Sequence, residues 1–241
     1  MTGKTLSFCG LSMAFCTALI LAYRMWLPDV APLRVENPRS TKYVEIYVRR
    51  MLAHGGSPAV SMRWVPLEDL SPYLRAAVLV AEDDRFYAHR GVDWKEIHRA
   101  VRYNIRRRRM ARGASTITQQ VARNLFLSPR RTTWRKLQEI LIARHLERSI
   151  EKDRILEIYL NVVEWGEGIF GAEAASQAYF GKHASELGPA EAVALVVALP
   201  SPYRLNPDQA PDELTRKKIV LYLDRMRRER HFPAPSAESV Q

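Results

Sequence analysis

The segment 72-PYLRAAVLVAEDDRFYAHRG-91 is almost wholly apolar at first and then ends in a cluster of acids. Ser71 suits the N-cap of a helix and Pro72 suits its first turn. The residues that follow are almost all apolar, which is typical of a helix that is buried on all sides. Residues 82–84 are all acidic and lie at the C-terminal end, where the helix dipole favours cations. Because the acids break this rule, they mark a candidate functional site; a solvated acidic end is the alternative.

The composition indicates a folded, basic protein. The chain has 241 residues, which is enough for one or two domains with a sizeable core, and 47% of them are hydrophobic, which excludes a disordered chain. The formal net charge of +11 favours a polyanionic partner: nucleic acid, anionic lipid or a phosphate-bearing substrate. Cys9 and Cys16 are the only cysteines, so the sequence beyond them offers no disulfide framework and no cysteine metal site.

Residues 5–27 form an apolar segment that is nearly free of charge and long enough to cross a bilayer. We predict an uncleaved transmembrane anchor over residues 1–27. A cleavable signal peptide is the alternative, but its apolar core is usually shorter and no clear small-residue cleavage site follows. The basic residues after the segment would by themselves favour a cytoplasmic C-terminal domain, although large domains cross the membrane largely regardless of charge.

The rest of the chain predicts a mainly helical protein with weak strand signals. A proline-rich linker and a juxtamembrane helix occupy residues 28–58, a helical domain 59–230, and a disordered tail 231–241. The glycine-rich segment 165–171 does not follow a clear strand, so it is a poor match to a nucleotide-binding loop. Helices are predicted over these further ranges: 41–52, 93–109, 115–127, two within 128–161, 172–181, 188–199 and 211–230.

The predicted helix 115–127 carries uncharged polar side chains in its first turns. Thr118, Gln119 and Gln120 come first, and Arg123 and Asn124 follow about one turn later. Such a polar face suits the hydroxyl and amide groups of a sugar, and helix N-termini bind anions. An ordinary surface helix is the alternative.

Glu139 lies on an apolar stripe of the next predicted helix. The stripe continues at helical spacing through Ile142, Ala143, Leu146 and Ile150. A carboxylate in this position needs a partner, because burying a lone charge is costly. The many arginines and lysines of the chain can supply one, so a purely structural ion pair is the alternative to a functional role.

Three of these stretches resemble motifs of the peptidoglycan glycosyltransferases, lysozyme-like enzymes that polymerise lipid II. Residues 82–91, EDDRFYAHRG, are similar to the family's E-D-x-x-F-x-x-H-x-G motif. Residues 113–124, GASTITQQVARN, are similar to its G-x-S-T-x-x-Q-Q-x-x-K-N motif, and residues 135–147, RKLQEILIARHLE, to its R-K-x-x-E motif. The one departure is Arg123 in place of a usual lysine, which keeps the charge but changes its hydrogen-bonding geometry.

The resemblance implies a mainly α, lysozyme-like glycosyltransferase domain with a small membrane-associated jaw lobe near residues 95–125, preceded by one transmembrane helix. It implies transfer of the growing glycan chain from undecaprenyl diphosphate to the GlcNAc 4-hydroxyl of lipid II. The new β-1,4 linkage forms with inversion, and no transpeptidase activity is expected.

The resemblance also implies the roles of individual residues. Glu82 is the expected catalytic base, and its place beside Asp83 and Asp84 at the edge of a buried helix should raise its pKa. Glu139 is the second catalytic glutamate, which orients groups or holds a divalent cation, Mg or Mn. The residues expected to bind substrate or its diphosphate are Ser115, Thr116, Gln119, Gln120, Arg123, Asn124, Arg131, Arg135 and Lys136. The motif residues expected to be structural are Asp83, Phe86, His89, Gly91 and Gly113.

The implied location is the inner membrane, with a single span and a periplasmic catalytic domain. The implied partners are lipid II, the nascent glycan strand, inner-membrane lipid and cell-division or penicillin-binding proteins. Basic charge in the jaw fits anionic lipid headgroups and explains the net charge without nucleic acid.

Two alternatives keep other functions open. A lytic muramidase of the same fold also uses a glutamate, but it has no need of cations that neutralise a diphosphate. A membrane-anchored nucleic-acid-binding module is supported by the run of arginines at 106–109.

Overall fold

The computed structural model describes residues 26–108, 113–130, 132–199, 207 and 212–228. Most of this part of the chain is helical. The α-helices are α1 (Lys42–Ala53), α2 (Pro72–Glu82), α3 (Trp94–Arg107), α4 (Ile117–Phe126), α5 (Thr133–Ser149), α6 (Lys152–Val162), α7 (Ala172–Phe180), α8 (Pro189–Ala198) and α9 (Glu213–Arg228). The strands are β1 (Ser61–Met62), β2 (Glu164–Gly166) and β3 (Ile169–Phe170).

Helix α2 lies in the core, as its apolar sequence predicts. Ser71 caps it by accepting a hydrogen bond from the Tyr73 amide at 3.2 Å, and the same hydroxyl donates to the Leu187 carbonyl at 2.6 Å. The helix packs against α8 and α9, and its side chains from Leu74 to Val80 are buried except at Arg75. This packing fixes the position of Glu82 at its C-terminal end.

Helices α4, α5 and α6 form the other half of the core. Helix α4 contacts both α5 and α6 and also α1. Ile142, Ala143 and Leu146 of α5 are buried together with Glu139, so the stripe read from the sequence does face the core. The glutamate is thereby held inside the domain.

A small sheet joins the N-terminal region to the glycine-rich segment. Strand β3 pairs with β1 in parallel and with β2 antiparallel, in the order β1-β3-β2. Its hairpin turn requires Gly168, which has φ +72° and whose added Cβ would lie 2.2 Å from the Ala59 carbonyl oxygen. Strand signals in the sequence are weak because these strands are only two or three residues long.

The predicted mainly helical fold is confirmed, with small changes at helix ends. The helix predicted from residue 115 begins at Ile117, because Thr116 is its N-cap. None of the helices in the described residues is both long enough and apolar enough to span a bilayer. The predicted anchor, apart from Trp26 and Leu27, and the predicted tail both lie outside those residues, and the domain boundaries given above stay predictions.

Candidate active site

A cleft of about 910 Å³ opens beside the C-terminal end of α2. Its other walls come from the loop before α4 and one face of that helix, the start of α5, and parts of α1, α3 and α9. The predicted substrate-binding and catalytic side chains that line it are Glu82, Ser115, Thr116, Gln120, Arg123, Asn124 and Arg135. The structure therefore brings residues from all three motif stretches into one cavity.

Glu82 is the carboxylate at the centre of this cleft. The side-chain amide of Gln120 donates to its Oε2 at 2.6 Å. Burial raises the pKa of Glu82, and the negative charge of Asp83 raises it further, whereas the Gln120 hydrogen bond and Arg123 lower it. The direction agrees with the sequence-based expectation, but desolvation rather than the acidic neighbours is the main cause.

Asp83 ties the end of α2 to the start of α4. His89 Nε2 donates to Asp83 Oδ1 at 2.8 Å, and the Ile117 amide donates to Oδ2 at 3.0 Å. A carboxylate that accepts an amide hydrogen bond at a helix N-terminus is also favoured by the helix dipole. Asp83 is only 8% exposed, so it acts as a structural link between the two helices that carry Glu82 and Gln120.

Two other motif residues are structural in the same region. Phe86 is 1% exposed and packs in the core, where the Lys152 ammonium lies 4.2 Å from its ring centroid. Gly91 has φ +82°, and an added Cβ would lie 3.0 Å from the Ala143 carbonyl oxygen. These contacts hold the segment after α2 against α5 and the start of α6.

Asp84 has a different partner, which no sequence motif indicates. Its Oδ2 accepts from Arg225 Nη2 of α9 at 3.1 Å. The structure assigns it to the docking of the C-terminal helix.

Thr116 and Gln119 form the N-terminal cap of α4. The Thr116 hydroxyl accepts from the Gln119 amide at 3.2 Å, and Gln119 Oε1 accepts from the Thr116 amide at 3.0 Å, which is a capping box. Gln119 has no exposed surface and does not line the cleft. It was predicted to contact substrate; instead its side chain is used inside the domain, because cap geometry turns it back onto the helix end.

Gln120, Arg123 and Asn124 face the cleft from the same helix. Asn124 donates to the Gln120 carbonyl at 2.8 Å and is 2% exposed. Arg123 Nη2 lies 3.5 Å from Gln120 Oε1, whereas the Arg123 Nε–H is buried with no acceptor among the described residues. A buried donor of a charged group without an acceptor is costly, and the Arg123 side chain that carries it lines the cleft, where its charge suits an anionic ligand.

Glu139 lies beneath the cleft rather than in its wall. It is 1% exposed, and its two oxygens accept from Arg135 Nη1 and from Lys136 Nζ, the latter at 2.5 Å. Lys136 also donates to the Ser115 hydroxyl at 2.8 Å. Glu139 therefore holds two cations in place, and it reaches the cleft only through them.

The predicted divalent cation is not matched by this arrangement of Glu139. Both carboxylate oxygens already face cationic donors, and a metal ion would have to displace them. No group of three or more His, Cys, Asp or Glu side chains able to hold a metal occurs in the part of the chain that the structure describes. The residues around Glu139 do not fit a metal, and the cation itself stays a prediction.

The two remaining predicted site residues are Arg131 and Gly113. Arg131 lies outside the described residues. Gly113 lines the cleft, and an added Cβ there would meet nothing within 4 Å, so a small side chain would fit in its place.

Sequence reasoning missed several residues of the cleft. Tyr43 of α1 lines one side, and Leu221, Tyr222 and Arg225 of α9 line another. Both helices lie outside the three motif stretches and read from sequence as ordinary amphipathic helices. Only their packing against the central helices brings them to the cavity.

The cleft contains both positive charge and a carboxylate. Arg123 and Arg135 line it, with Lys136 close behind them. Glu82 lines the same cleft, and its raised pKa makes it a stronger base than an exposed glutamate. The arrangement can remove a proton from one ligand group and stabilise negative charge on another.

Comparison with known proteins identifies the family. A family model described as Transglycosylase matches residues 50–227. A biosynthetic peptidoglycan transglycosylase of Azoarcus sp. (strain BH72) is 44% identical over 219 residues, covering 90% of this chain and 92% of the relative. The protein of the same name from Nitrosospira multiformis is 39% identical over 213 residues, covering 88% and 92%. Since the family match spans well over half of a chain whose cleft unites the three motif stretches, the chain belongs to the transglycosylase family.

Proposed function

We propose that this chain is a peptidoglycan transglycosylase that polymerises glycan chains from lipid II. It transfers the growing chain from undecaprenyl diphosphate to the GlcNAc 4-hydroxyl of the next lipid II, with inversion. Family membership and the shared name of the relatives support the activity. The observation that carries the mechanism is Glu82, a carboxylate with a raised pKa that faces cationic side chains across one cleft.

The proposed step needs one base. Glu82 takes the proton of the acceptor 4-hydroxyl as that oxygen forms a bond to the anomeric carbon of the donor. The bond from this carbon to the diphosphate oxygen breaks, and its electron pair leaves with the diphosphate. The Gln120 amide, 2.6 Å from Glu82 Oε2, holds the carboxylate in its orientation.

The leaving diphosphate gains negative charge as the bond breaks. Arg123 and Arg135 line the cleft, and each has a buried Nε–H without an acceptor in the described residues. Fixed donors that point at developing charge stabilise a transition state without reorganisation. We assign these two arginines, together with Lys136, to the diphosphate, and Glu139 to positioning Arg135 and Lys136.

The chain works in the cell envelope, and we propose a single-pass anchor in the inner membrane with the catalytic domain in the periplasm. Helix α3 supports contact with lipid. Trp94, Val101 and Ile105 are 63%, 49% and 70% exposed and recur at helical spacing on one face. Arginines on the same helix suit anionic headgroups, as in interfacial helices. Cell-division and penicillin-binding proteins stay proposed partners.

The test compares Glu82→Gln with wild type on purified lipid II. We expect the variant to bind lipid II but to form no glycan polymer, because the base is gone. Glu68→Gln is the control, since Glu68 is exposed and does not line the cleft. Polymer formation by Glu82→Gln would refute the mechanism.

The same assay separates the alternatives. Release of soluble muropeptides from finished peptidoglycan, without polymer from lipid II, would show a lytic enzyme instead. Binding of nucleic acid that falls steeply with salt and does not respond to Glu82→Gln would favour the nucleic-acid-binding alternative.

A further inference from the structure

The C-terminal helix α9 forms one wall of the cleft. Leu221, Tyr222 and Arg225 line the cavity that contains Glu82. The helix is anchored by Met226, which has no exposed surface, and it packs against α8 and α2. Because α2 ends at Glu82, α9 and the proposed base are held in one packed unit.

The Asp84–Arg225 ion pair ties this wall to the end of α2. Its atoms are 3.1 Å apart, and it joins α9 to the residue two positions after Glu82. Tyr222 lies three residues before Arg225, so both side chains are on the same face of the helix. Both side chains line the cleft, and the Tyr222 ring is half-buried against the core.

Two tyrosines on different walls show that the cleft has two distinct sides. Tyr43 belongs to α1, which packs against α4, the helix that carries Arg123. Tyr222 belongs to α9, which packs against α2, the helix that ends at Glu82. The first tyrosine therefore lies on the side assigned to the diphosphate, and the second on the side of the base.

The chemistry assigns a substrate to each side. A base must lie next to the hydroxyl whose proton it removes, and that hydroxyl belongs to the acceptor. The leaving diphosphate belongs to the donor and needs the cationic side. We propose that Tyr222 on α9, held in place by the Asp84–Arg225 pair, is a binding residue for the acceptor sugar.

A tyrosine is suited to this task. Its ring offers an apolar face for the CH groups of a sugar, and its hydroxyl can donate and accept hydrogen bonds. It adds a binding surface on α9, the wall that packs against the helix of Glu82. This inference rests on the proposed function, and the experiment below separates the two.

The experiment uses the full chain and a single coupling reaction. The donor is a lipid-linked disaccharide diphosphate whose own 4-hydroxyl is capped, so that it cannot act as acceptor. The acceptor is a lipid II analogue whose diphosphate is replaced by a linkage that cannot leave, so that it cannot act as donor. It is varied at saturating donor, and the donor is then varied at saturating acceptor. These two titrations give separate KM values for acceptor and donor.

We expect Tyr222→Phe to raise the acceptor KM roughly fivefold, as for loss of one hydrogen bond, and Tyr222→Ala to raise it further. The donor KM should stay near wild type. Tyr43→Phe should show the reverse pattern, because Tyr43 lies on the donor side. Leu214→Ala is the control on the same helix: Leu214 is 65% exposed and does not line the cleft, so neither KM should change.

The role of the Asp84–Arg225 ion pair is tested by exchanging its two charges. Asp84→Asn should raise the acceptor KM, and Asp84→Arg combined with Arg225→Asp should restore it if the pair acts by holding α9. An unchanged acceptor KM in Tyr222→Ala, with wild type active, would overturn the inference and leave the proposed function standing. No coupling by wild type would instead refute the proposed function.

Discussion

The Gln120 amide lies 2.6 Å from the Glu82 carboxylate and joins the helix of the proposed base to the helix that faces the substrate. The contact favours the ionised form of Glu82, while burial opposes it. The protonation state of Glu82 therefore depends on both groups.

Gln120→Ala should move the acidic limb of the pH–rate profile to higher pH. Without the hydrogen bond the pKa of Glu82 rises further, so the base is protonated at a pH where wild type is active. Initial rates of polymerisation measured across pH test this. Gln177→Ala is the matched control, because Gln177 is exposed and outside the cleft; its profile should equal that of wild type. An unshifted profile for Gln120→Ala would contradict the role given to this contact.

Glu82→Gln should increase stability at neutral pH while it abolishes activity. Burial raises the pKa of Glu82 in the folded state above its ordinary value, so the folded protein binds the proton more tightly than the unfolded chain. The free energy of unfolding therefore falls as the pH rises from the pKa of Glu82 in the unfolded chain to its pKa in the folded protein. Above the folded-state pKa the loss of stability is complete. Thermal unfolding should show a higher Tm for the variant at neutral pH and a smaller difference at acidic pH. A Tm of the variant below that of wild type at neutral pH would contradict the cost of burying the Glu82 charge.

Glu139→Gln should reduce both stability and turnover. Removing one charge from a buried cluster costs about 3 kcal/mol, because Arg135 and Lys136 lose their common acceptor. The two cations then lose their fixed position, so kcat should fall and Glu139→Asp should restore part of it. Denaturant unfolding and steady-state kinetics measure the two effects.

Glu147→Gln provides the comparison for Glu139. Glu147 is on the same helix, is buried, and pairs with Lys152 at 2.7 Å, away from the Glu82 cleft. The Glu147→Gln variant should lose a similar amount of stability. It should keep the kcat of wild type under conditions where the variant is folded. Equal losses of kcat in the two variants would show that Glu139 acts only through stability.

Gly171→Ala should destabilise the domain far more than Gly181→Ala. Gly171 has φ +83° and ψ 156°, a region that is essentially restricted to glycine, and an added Cβ would lie 2.6 Å from the Asn161 carbonyl oxygen. Gly181 has φ +66° with nothing within 4 Å of the added Cβ, so its cost should be about 1 kcal/mol. We expect more than about 3 kcal/mol for Gly171 by denaturant unfolding. Equal losses of stability in the two variants would contradict the close approach of Gly171 to the Asn161 backbone.

The sequence predicted the helices best where hydrophobic spacing and capping residues agreed. Ser71 as the cap of α2 and the buried face of Glu139 both follow from such local patterns. The short strands could not be predicted in this way, because two or three residues are too few to show an alternation of apolar and polar side chains. The contribution of α9 to the cleft was not predicted either, since the pairing of Asp84 with Arg225 joins residues 141 positions apart.

The candidate site was predicted by residue type more reliably than by role. Glu82 and Gln120 meet in the cleft, as their motifs implied. Gln119 and Glu139 do not line it, because one completes a helix cap and the other binds two cations inside the domain. A motif gives the spacing of residues, but the direction of each side chain depends on partners that come from elsewhere in the chain.

The different surroundings of Gln119 and Gln120 have a consequence for inhibition. A compound that fills the cleft can touch Gln120 but not Gln119, which has no exposed surface. Bacteria could acquire resistance to such a compound by substitution at an exposed position of the wall, such as Leu221 of α9, without disturbing the Thr116–Gln119 cap. An antibiotic whose contacts are confined to Glu82, Gln120 and Arg123 would leave fewer tolerated escape routes.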